Sequence, residues 1–332
     1  MDTLAALFGH AQQALFEGLI QPLLFALGAA NVLEDAYAAT GWLLVGLLQI
    51  MLMLVVLGPL ERVRPVEALP SEPEERRARR FAVATDVLYT AIHRLGLFRM
   101  LLFFAVEPAW NGLFGWLAVQ GLDGWHLDQA IAPWLPGITD TALAGFLAYL
   151  VVFDFADYLL HRAQHRFGWW WALHALHHSQ RHMTMWTDSR NHLLDDLIRD
   201  CLFVLLARTI GVAPGQFVAL VACSQLVENL SHANLRLTFG WLGERLLVGP
   251  SFHRLHHAIG LGHESAGPGS LGGHNFAVLF PIWDLIFRTA RFGRAVEPTG
   301  IRDQLPDQGG RDYGQGFWAQ QWLGLKRLVG RG

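Results

Sequence analysis

The stretch from residue 161 to residue 178, HRAQHRFGWWWALHALHH, contains five histidines. Two of them, His161 and His165, are four residues apart and therefore share one face of a helix. The three that follow have i, i+3, i+4 spacing, and FHRLHH at 252–257 repeats it. Neutral imidazole is the commonest side-chain ligand of metals, so these phased boxes predict a metal site. The eight box histidines are His161, His165, His174, His177, His178, His253, His256 and His257.

A ninth histidine, His232, lies between the second and third boxes in ENLSHANL. Nine imidazoles exceed the four ligands that one structural zinc takes, so the sequence predicts two metal ions. Imidazole suits iron, zinc and copper alike, and ligand type therefore leaves the metal open. The remaining isolated histidines, such as His10, His93 and His126, are expected to have no metal role.

The composition indicates a membrane protein, because the 332 residues are 52% hydrophobic and only 16% charged. A helix that crosses the hydrocarbon core needs about 20 apolar residues, and 41–60 supplies them without a charge. Further candidates are 95–119, 141–160 and 197–230, the last broken by Pro214 and its flanking glycines into a hairpin of short helices. We therefore predict an all-α integral membrane bundle with about four spanning or hairpin helices and a histidine-rich di-metal core.

The distribution of arginine predicts the orientation. Residues 1–40 and 120–140 contain no lysine or arginine, whereas 61–80 contains six arginines. The positive-inside rule then places the N-terminus outside and every histidine box on the cytoplasmic side. The basic residues are almost all arginine, with Lys326 the exception, which favours a GC-rich bacterial genome and hence an inner membrane.

The chain divides into three regions by pattern. Residues 1–140 form an N-terminal membrane region with two spans and the Arg-rich loop, residues 141–295 contain the boxes, and residues 296–332 form a C-terminal tail. In the tail, Trp318, Trp322, Leu325 and Val329 recur at helical spacing. This predicts an amphipathic helix that either lies at the membrane interface or packs on the cytoplasmic part of the protein.

Polar residues close to the boxes are candidates for supporting roles. Glu228 lies four residues before His232 and is expected to be a ligand or a hydrogen-bond acceptor for one. Two aspartates precede His161 by seven and four residues and are expected to orient an imidazole, while two histidines after the second box are expected near the metals or the substrate. These four are Asp154, Asp157, His182 and His192.

Two further features are expected to have no direct role in metal binding. The run Trp169–Trp171 either shields the metals or belongs to an aromatic belt at the membrane interface, and we favour the belt. His263 lies in the Gly-rich loop GLGHESAGPGSLGGH and is predicted at the surface.

The motifs HRAQH, HALHH and HRLHH resemble the histidine boxes of the fatty acid hydroxylase/sterol desaturase superfamily. DFADYLLHR, SHANLR and HNFAVLFPIWDLIFRT resemble its lead-in, intermediate and closing segments, so the resemblance covers about residues 141–290. Three positions depart from the usual pattern: Ser251 stands for arginine, and Ala277 and Arg288 stand for glycine. None is a ligand position, so the departures bear on the substrate and subfamily.

The resemblance implies that the nine histidines bind two Fe ions in a non-haem di-iron centre, with zinc possible in the isolated protein. It implies O₂-dependent hydroxylation of an unactivated C–H bond of a lipid (a fatty acyl chain, a sterol or an aminolipid), or desaturation by the same centre. From their place in the closing motif, His274 and Asn275 are expected to line the site.

The partners implied are a lipid in the membrane and a separate electron donor, such as a ferredoxin with its reductase. The chain contains no HPGG stretch of a cytochrome b5-like domain, so the electrons are expected to come from outside it. The Arg-rich loop 61–80 is a candidate docking surface for an acidic carrier or for anionic lipids.

The sequence argues less well for three other functions. A membrane zinc hydrolase is disfavoured because HExxH is absent and nine histidines are too many for one catalytic zinc. A non-catalytic metal-binding or transport protein is the alternative of another class, although it would place polar groups at mid-span. The chain has no basic patch with interleaved aromatics, so a nucleic acid partner is not expected.

Overall fold

The structure is a computed structural model that describes residues 2–122, 125–135, 137–138, 141–293 and 296–331. Within these ranges the secondary structure is helical, with no β-strand and one isolated bridge between Ala258 and Thr299. The all-α prediction is therefore confirmed. The first half contains α1 (Asp2–Leu15), α2 (Gln21–Ala26), α3 (Leu33–Leu52), α4 (Gly58–Val63), α5 (Pro73–Arg94), α6 (Leu97–Ala105), α7 (Glu107–Val119) and α8 (Leu127–Ile131).

The second half carries the histidine boxes on a further set of helices. These are α9 (Ala142–Arg166), α10 (Gly168–His178), α11 (Leu193–Thr209), α12 (Pro214–His232), α13 (Gly240–Leu246), α14 (Pro250–His256), α15 (Ile282–Ile286) and α16 (Phe317–Leu328). Short 3₁₀ turns and long loops join them.

Two of the described helices are long and apolar enough to cross a membrane: Ala30–Val63, which includes α3 and α4, and α9. The first contains a π-helical segment, Met53–Leu57, which ends two residues before Pro59. Proline lacks an N–H and its ring clashes with the carbonyl four residues earlier, and the wider π turn accommodates it without ending the helix. The second helix begins at Thr141, whose hydroxyl accepts the N–H of Ala144 at 3.1 Å.

The interpretation of 95–119 as one span is wrong. The segment forms two short helices, α6 and α7, which meet at Val106. Pro108, in the first turn of α7, cannot supply a hydrogen bond to the preceding turn, so the chain breaks there. The predicted break in 197–230 is observed, with α11 and α12 separated by residues 210–213.

The hairpin of α11 and α12 packs against α9 through an apolar cluster. Tyr149, Leu150 and Phe153 of α9 are buried against Ile210 and Leu220. This packing fixes the positions of the three helices along their axes relative to one another. Since α9 and α12 both run toward the histidines at their C-terminal ends, their box residues arrive at the same level.

The C-terminal helix α16 packs along α10. Gly324 allows α16 to approach the start of α11 as well, because a Cβ there would lie 2.3 Å from Cδ2 of His192, the N-cap residue of α11. Arg327 donates from Nε to the carbonyl of Ala172 at 3.1 Å. The opposite face remains open, with Trp318 81% exposed and Trp322 59% exposed. The amphipathic helix was predicted correctly, and one face packs on the protein while the aromatic face is free.

Candidate metal centre

The structure brings all nine box histidines together in two buried groups. Within each group, every residue offers a ligand nitrogen within 4.8 Å of the others. The five-histidine group comprises His161, His165, His174, His178 and His256, and the four-histidine group comprises His177, His232, His253 and His257. The described residues place no Asp, Glu or Cys in either group, so the donors are all imidazoles.

Backbone carbonyls fix two imidazoles of the five-histidine group. Nδ1 of His161 lies 2.8 Å from the carbonyl oxygen of Phe276, and Nδ1 of His256 lies 2.7 Å from that of His274. A carbonyl oxygen only accepts, so each Nδ1 carries the proton and each Nε2 presents a lone pair. The closing segment therefore sets the tautomer of these two histidines, which is a common way in which proteins prepare metal ligands.

A third imidazole of this group is held by a carboxylate that sequence reasoning missed. Nδ1 of His174 lies 3.2 Å from Oδ2 of Asp195, whose Oδ1 accepts from Trp170 Nε1 at 2.6 Å and Gln164 Nε2 at 2.8 Å. Burial would raise the pKa of Asp195, but the contacts with His174 outweigh it and hold that pKa below its ordinary value. The sequence feature that could have identified Asp195 is the pair Asp195–Asp196 at the start of the apolar hairpin 197–230.

The four-histidine group converges through its Nε2 atoms. Nε2 of His232 lies 3.1 Å from that of His177 and 2.9 Å from that of His253, which is 3.1 Å from Nε2 of His257. Nδ1 of His232 donates to the backbone carbonyl of Glu228 at 2.8 Å, so its Nε2 presents a lone pair to the others.

Several imidazole nitrogens of the five-histidine group have no hydrogen-bond partner in the described part of the chain. Nε2 of His165, His174, His178 and His256 is buried without a hydrogen-bond partner among the described residues. An unpaired buried polar atom is unfavourable, and four that converge within one group fit a site built for an ion. The donor set thus suits metals that accept imidazole.

Burial keeps the imidazoles neutral. It lowers the pKa of His256 to about 3, and it lowers those of His177, His178, His253 and His257 well below the ordinary value, with neighbouring histidines contributing. A neutral imidazole binds a metal without first losing a proton. Each of these residues is therefore ready to act as a ligand at neutral pH.

Aromatic side chains close one side of the five-histidine group. The ring of Trp171 lies 5.0 Å from that of His165 and stacks on that of His263 at 5.2 Å. The preferred interpretation of this tryptophan run as a membrane belt is wrong for Trp170, which is 5% exposed, and for Trp171, whereas Trp169 is exposed. The surface prediction for His263 is also wrong, because it is 4% exposed under Trp171.

Asp154 and Asp157 do not orient His161. The two oxygens of Asp154 accept from the N–H groups of Leu279 and Phe280 at 2.8 and 3.1 Å and from Trp283 Nε1. Asp157 pairs with Arg199 at 2.7 Å. These bonds are to residues other than His161. Asp154 connects the closing segment to α9, and Asp157 connects α9 to α11.

Two of the other candidates lie away from the groups. His182 lies 3.6 Å from a carboxylate oxygen of Glu67. His192 caps α11 by accepting the N–H of Leu194, and its Nε2 lies 2.9 Å from the carbonyl of Gln321. Both residues hold segments of the chain together.

The closing segment supports the site through its backbone. His274 contributes its carbonyl to His256, as described above. Asn275 is fully buried with φ of 60°, a left-handed conformation that asparagine tolerates. Its side chain donates to the carbonyls of Phe252 and Arg291 and accepts the N–H of Arg291. It therefore fixes the third box without touching the metal groups.

Two adjoining cavities lie beside the histidines. The smaller, about 30 Å³, is lined by histidines of both groups together with Glu228. The larger, about 130 Å³, extends between α5, α6, α9, α11 and α12 and shares Glu228, Asp157 and Arg199 with the smaller. Glu228 thus faces the cavities, while its carboxylate lies outside both histidine groups.

Comparison with known proteins identifies the region that contains these groups. The family model described as fatty acid hydroxylase matches residues 146–289. This match confirms the resemblance inferred from the boxes. No solved structure matches this chain significantly.

Three curated proteins are similar to this region. An alkylglycerol monooxygenase of Caenorhabditis elegans is 31% identical over 44% of this chain, and one of Danio rerio is 30% identical over 50%. The ornithine lipid hydroxylase OlsE of Rhizobium tropici is 28% identical over 42% of the chain. The matched regions cover 26%, 33% and 40% of those proteins respectively, so the likeness is that of a shared region.

Proposed function

Since residues 146–289 belong to the fatty acid hydroxylase superfamily, we propose that the nine histidines bind two iron ions and that the protein hydroxylates a C–H bond of a membrane lipid. The observation that carries this proposal is the division of nine buried imidazoles into two groups of metal-binding geometry. The relatives that share the region include monooxygenases and a hydroxylase of lipids. The balanced reaction is RH + O₂ + 2e⁻ + 2H⁺ → ROH + H₂O.

The bound irons would supply the redox chemistry by which O₂ is reduced and a C–H bond is oxidised. The residues of the chain position and protect that chemistry. Asp195 and the carbonyls of Phe276, His274 and Glu228 orient imidazoles through Nδ1. Trp171 and its neighbours exclude water on one side. A dry, hydrogen-bonded shell of this kind controls solvent access and redox potential.

Desaturation of a lipid is the second reaction of the same centre, and nothing in the histidine geometry separates it from hydroxylation. The test is a lipid mass profile of cells that express the wild type or His177→Ala. A lipid class that gains one oxygen only with the wild type supports a hydroxylase. A class that loses two hydrogens supports a desaturase, and iron-loaded protein that changes no supplied lipid would contradict both.

We also propose a topology and partners, on the basis of the charge distribution and the family match. The two long apolar helices and the family match indicate a membrane protein. The arginine pattern supports a cytoplasmic position for the histidine groups and an inner bacterial membrane. The two electrons would come from a separate carrier such as a ferredoxin with its reductase, and the arginines of 61–80 are a candidate docking surface.

The non-catalytic alternative makes a different prediction. A carrier or transporter must release its ions, whereas these imidazoles are buried and several are fixed through Nδ1. Under our proposal the iron stays bound through repeated turnover, and the amount of lipid product exceeds the amount of protein. Iron that exchanges within minutes, with no lipid product, would favour the carrier.

A further inference from the structure

The short helices α13 and α15 present apolar side chains that the rest of the described chain does not cover. Trp241 of α13 is 73% exposed, and Ile286 of α15 is 58% exposed. Together with these two, the α13–α15 surface consists of Leu242, Leu246, Ile282, Leu285 and Phe287, which are all exposed. Exposed apolar surface of this extent marks a site of interaction with a partner or a membrane.

The helix α15 lies on the outward-facing row of α9. Leu147, Val151 and Leu159 of α9 are exposed and are separated by four and eight residues, so they share one face of the helix. Phe155 is the remaining member of this row, and its ring lies 4.7 Å from that of Trp283 in α15. Since α9 is long and apolar enough to cross a membrane, α15 lies where lipid chains would otherwise contact that helix.

Hydrogen bonds fix both short helices at one level of α9. The carboxylate of Asp154 accepts from the N–H groups of Leu279 and Phe280, which precede α15. The carbonyl of Leu279 in turn accepts the N–H of Val248, which follows α13, at 2.9 Å. Asp154 is seven residues before His161, so this level is about 10 Å from the histidines, toward the middle of α9. Interfacial helices are buried by about 5–10 Å, and the level of α13 and α15 fits such a position.

Arginines border the α13–α15 surface. The guanidinium of Arg245 lies 4.5 Å from the centre of the Trp241 ring, and Arg288 and Arg291 are exposed after α15. None of these three arginines forms a salt bridge with a described residue. An apolar surface bordered by positive charge without a carboxylate partner is complementary to a bilayer that contains anionic lipids.

The backbone of Arg288 gives an independent indication. Its φ is 58°, in the left-handed region, which is unfavourable for most residues with a Cβ and is readily adopted by glycine. Glycine is also the residue that the resembled closing motif has at this position. An arginine at a position where glycine would be less strained points to a role for its exposed guanidinium.

We propose that the α13–α15 surface lies in the head-group region of the membrane and that Arg245, Arg288 and Arg291 bind the phosphates of anionic lipids there. The contact would hold the closing segment, whose carbonyls orient His161 and His256, against the bilayer. The inference goes beyond the proposed function, since it requires neither bound iron nor a particular substrate.

Lipid contact is measured with a bimane label on single cysteines, in a background without the two native cysteines. The full chain is placed in nanodiscs whose lipids have either plain or brominated acyl chains, since bromine quenches a label that contacts lipid. We expect quenching of Trp241→Cys and Ile286→Cys to exceed that of the exposed Asp307→Cys by at least about threefold and to approach that of Leu147→Cys in α9. Quenching at either site that is no greater than at Asp307→Cys overturns the proposal and would favour a protein partner or a second copy on this surface.

Lipid selectivity is measured with the Ile286→Cys label in bilayers of equal parts phosphatidylglycerol and phosphatidylcholine, with only one of the two brominated in each preparation. The ratio of the two quenching efficiencies gives the local enrichment of the anionic lipid. We expect enrichment of at least about fivefold, and Arg288→Gly should lower it about fivefold, since an arginine near an anionic surface contributes about 1 kcal/mol. Arg288→Lys keeps the charge and should keep the enrichment, and the exposed Arg331→Gly is the control.

The variant Arg288→Gly also separates lipid binding from folding. Glycine adopts a φ of 58° readily, so the unfolding temperature of this variant should not fall below that of the wild type. Equal quenching by the two lipids in the wild type, or unchanged enrichment in Arg288→Gly, overturns the assignment of the arginines. Loss of enrichment together with a lower unfolding temperature overturns the lipid-binding role of Arg288, because the residue would then be structural.

Discussion

The imidazole of His178 stacks on that of His257, with ring centroids 4.3 Å apart and planes inclined by 17°. The first residue belongs to the five-histidine group and the second to the four-histidine group. The two groups therefore adjoin at this stacked pair of rings, and two ions held in them would be close neighbours. The contact joins the two groups into one centre. Because each group has its own histidines, substitutions can be made in one group at a time.

Removal of one histidine should remove one ion. His256→Ala takes a ligand from the five-histidine group, and His177→Ala takes one from the four-histidine group. We expect iron content to fall from about two to about one per chain in each variant and lipid oxidation to fall below detection, since one ion cannot supply the function of a pair. Elemental analysis with a lipid assay measures both. The exposed His10→Ala is the control, and full activity in His256→Ala would contradict the di-metal assignment.

Asp195→Asn should weaken metal binding, because it should change the tautomer of His174. The amide can keep the hydrogen bonds from Trp170 and Gln164, but its NH₂ would then face Nδ1 of His174. The imidazole proton would move to Nε2 and block the ligand atom. We expect iron affinity to fall by about 10- to 100-fold, the usual effect of losing such a partner.

Iron titration of the purified variant measures this effect. The adjacent Asp196→Asn is the matched control, because Asp196 touches neither histidine group and should leave iron affinity unchanged. Unchanged iron affinity in Asp195→Asn would show that the carboxylate does not set the tautomer.

Gly324→Ala should weaken the attachment of α16. The new Cβ would lie 2.3 Å from Cδ2 of His192, and overpacking of this kind typically destabilises by about 1–3 kcal/mol. Because α16 covers α10, we expect faster proteolysis of the C-terminal helix and a lower unfolding temperature. Gly112→Ala in α7 is the control, since nothing lies within 4 Å of its Cβ, and alanine favours a helix. Equal protease resistance in the two variants would contradict the packing argument.

Single cysteines should report the predicted orientation. Trp134 is 86% exposed and Arg77 is also exposed. In a background with serine at Cys201 and Cys223, we expect an impermeant maleimide to label Trp134→Cys in intact cells and Arg77→Cys only after permeabilisation. The reverse pattern would place the histidine groups outside and would exclude a cytoplasmic electron donor.

Local sequence patterns were sufficient for the all-α class and for the nine histidines, although the loop predicted at 61–80 is wrong in its second part, where α5 begins at Pro73. Spacings of three and four residues on a helix place side chains on one face whatever the rest of the fold does. The break at Pro214 was likewise predictable, because proline lacks an N–H. The break at Pro108 obeys the same rule, but the apolar run around it concealed the point at which one expected helix becomes α6 and α7.

Supporting contacts could not be predicted from spacing. Asp154 and Asp157 had the right helical phase for His161, yet each binds partners far away in the chain. The atoms that do orient His161 and His256 are backbone carbonyls of 274 and 276, which every residue type offers. The contacts of Asp195 and the stacking of Trp171 on the buried His263 depend on how α10, α11 and the Gly-rich loop meet.

The sequence by itself determined which imidazoles would gather and that the chain would be helical. Only the tertiary structure decided which imidazoles belong to the same group. Neighbouring residues on a helix point about 100° apart, so His177 and His178, adjacent in one box, belong to different groups, and the third box divides in the same way. The crossing of α9, α10, α12 and α14 sets where those directions meet, and that crossing depends on long-range packing that no single box encodes.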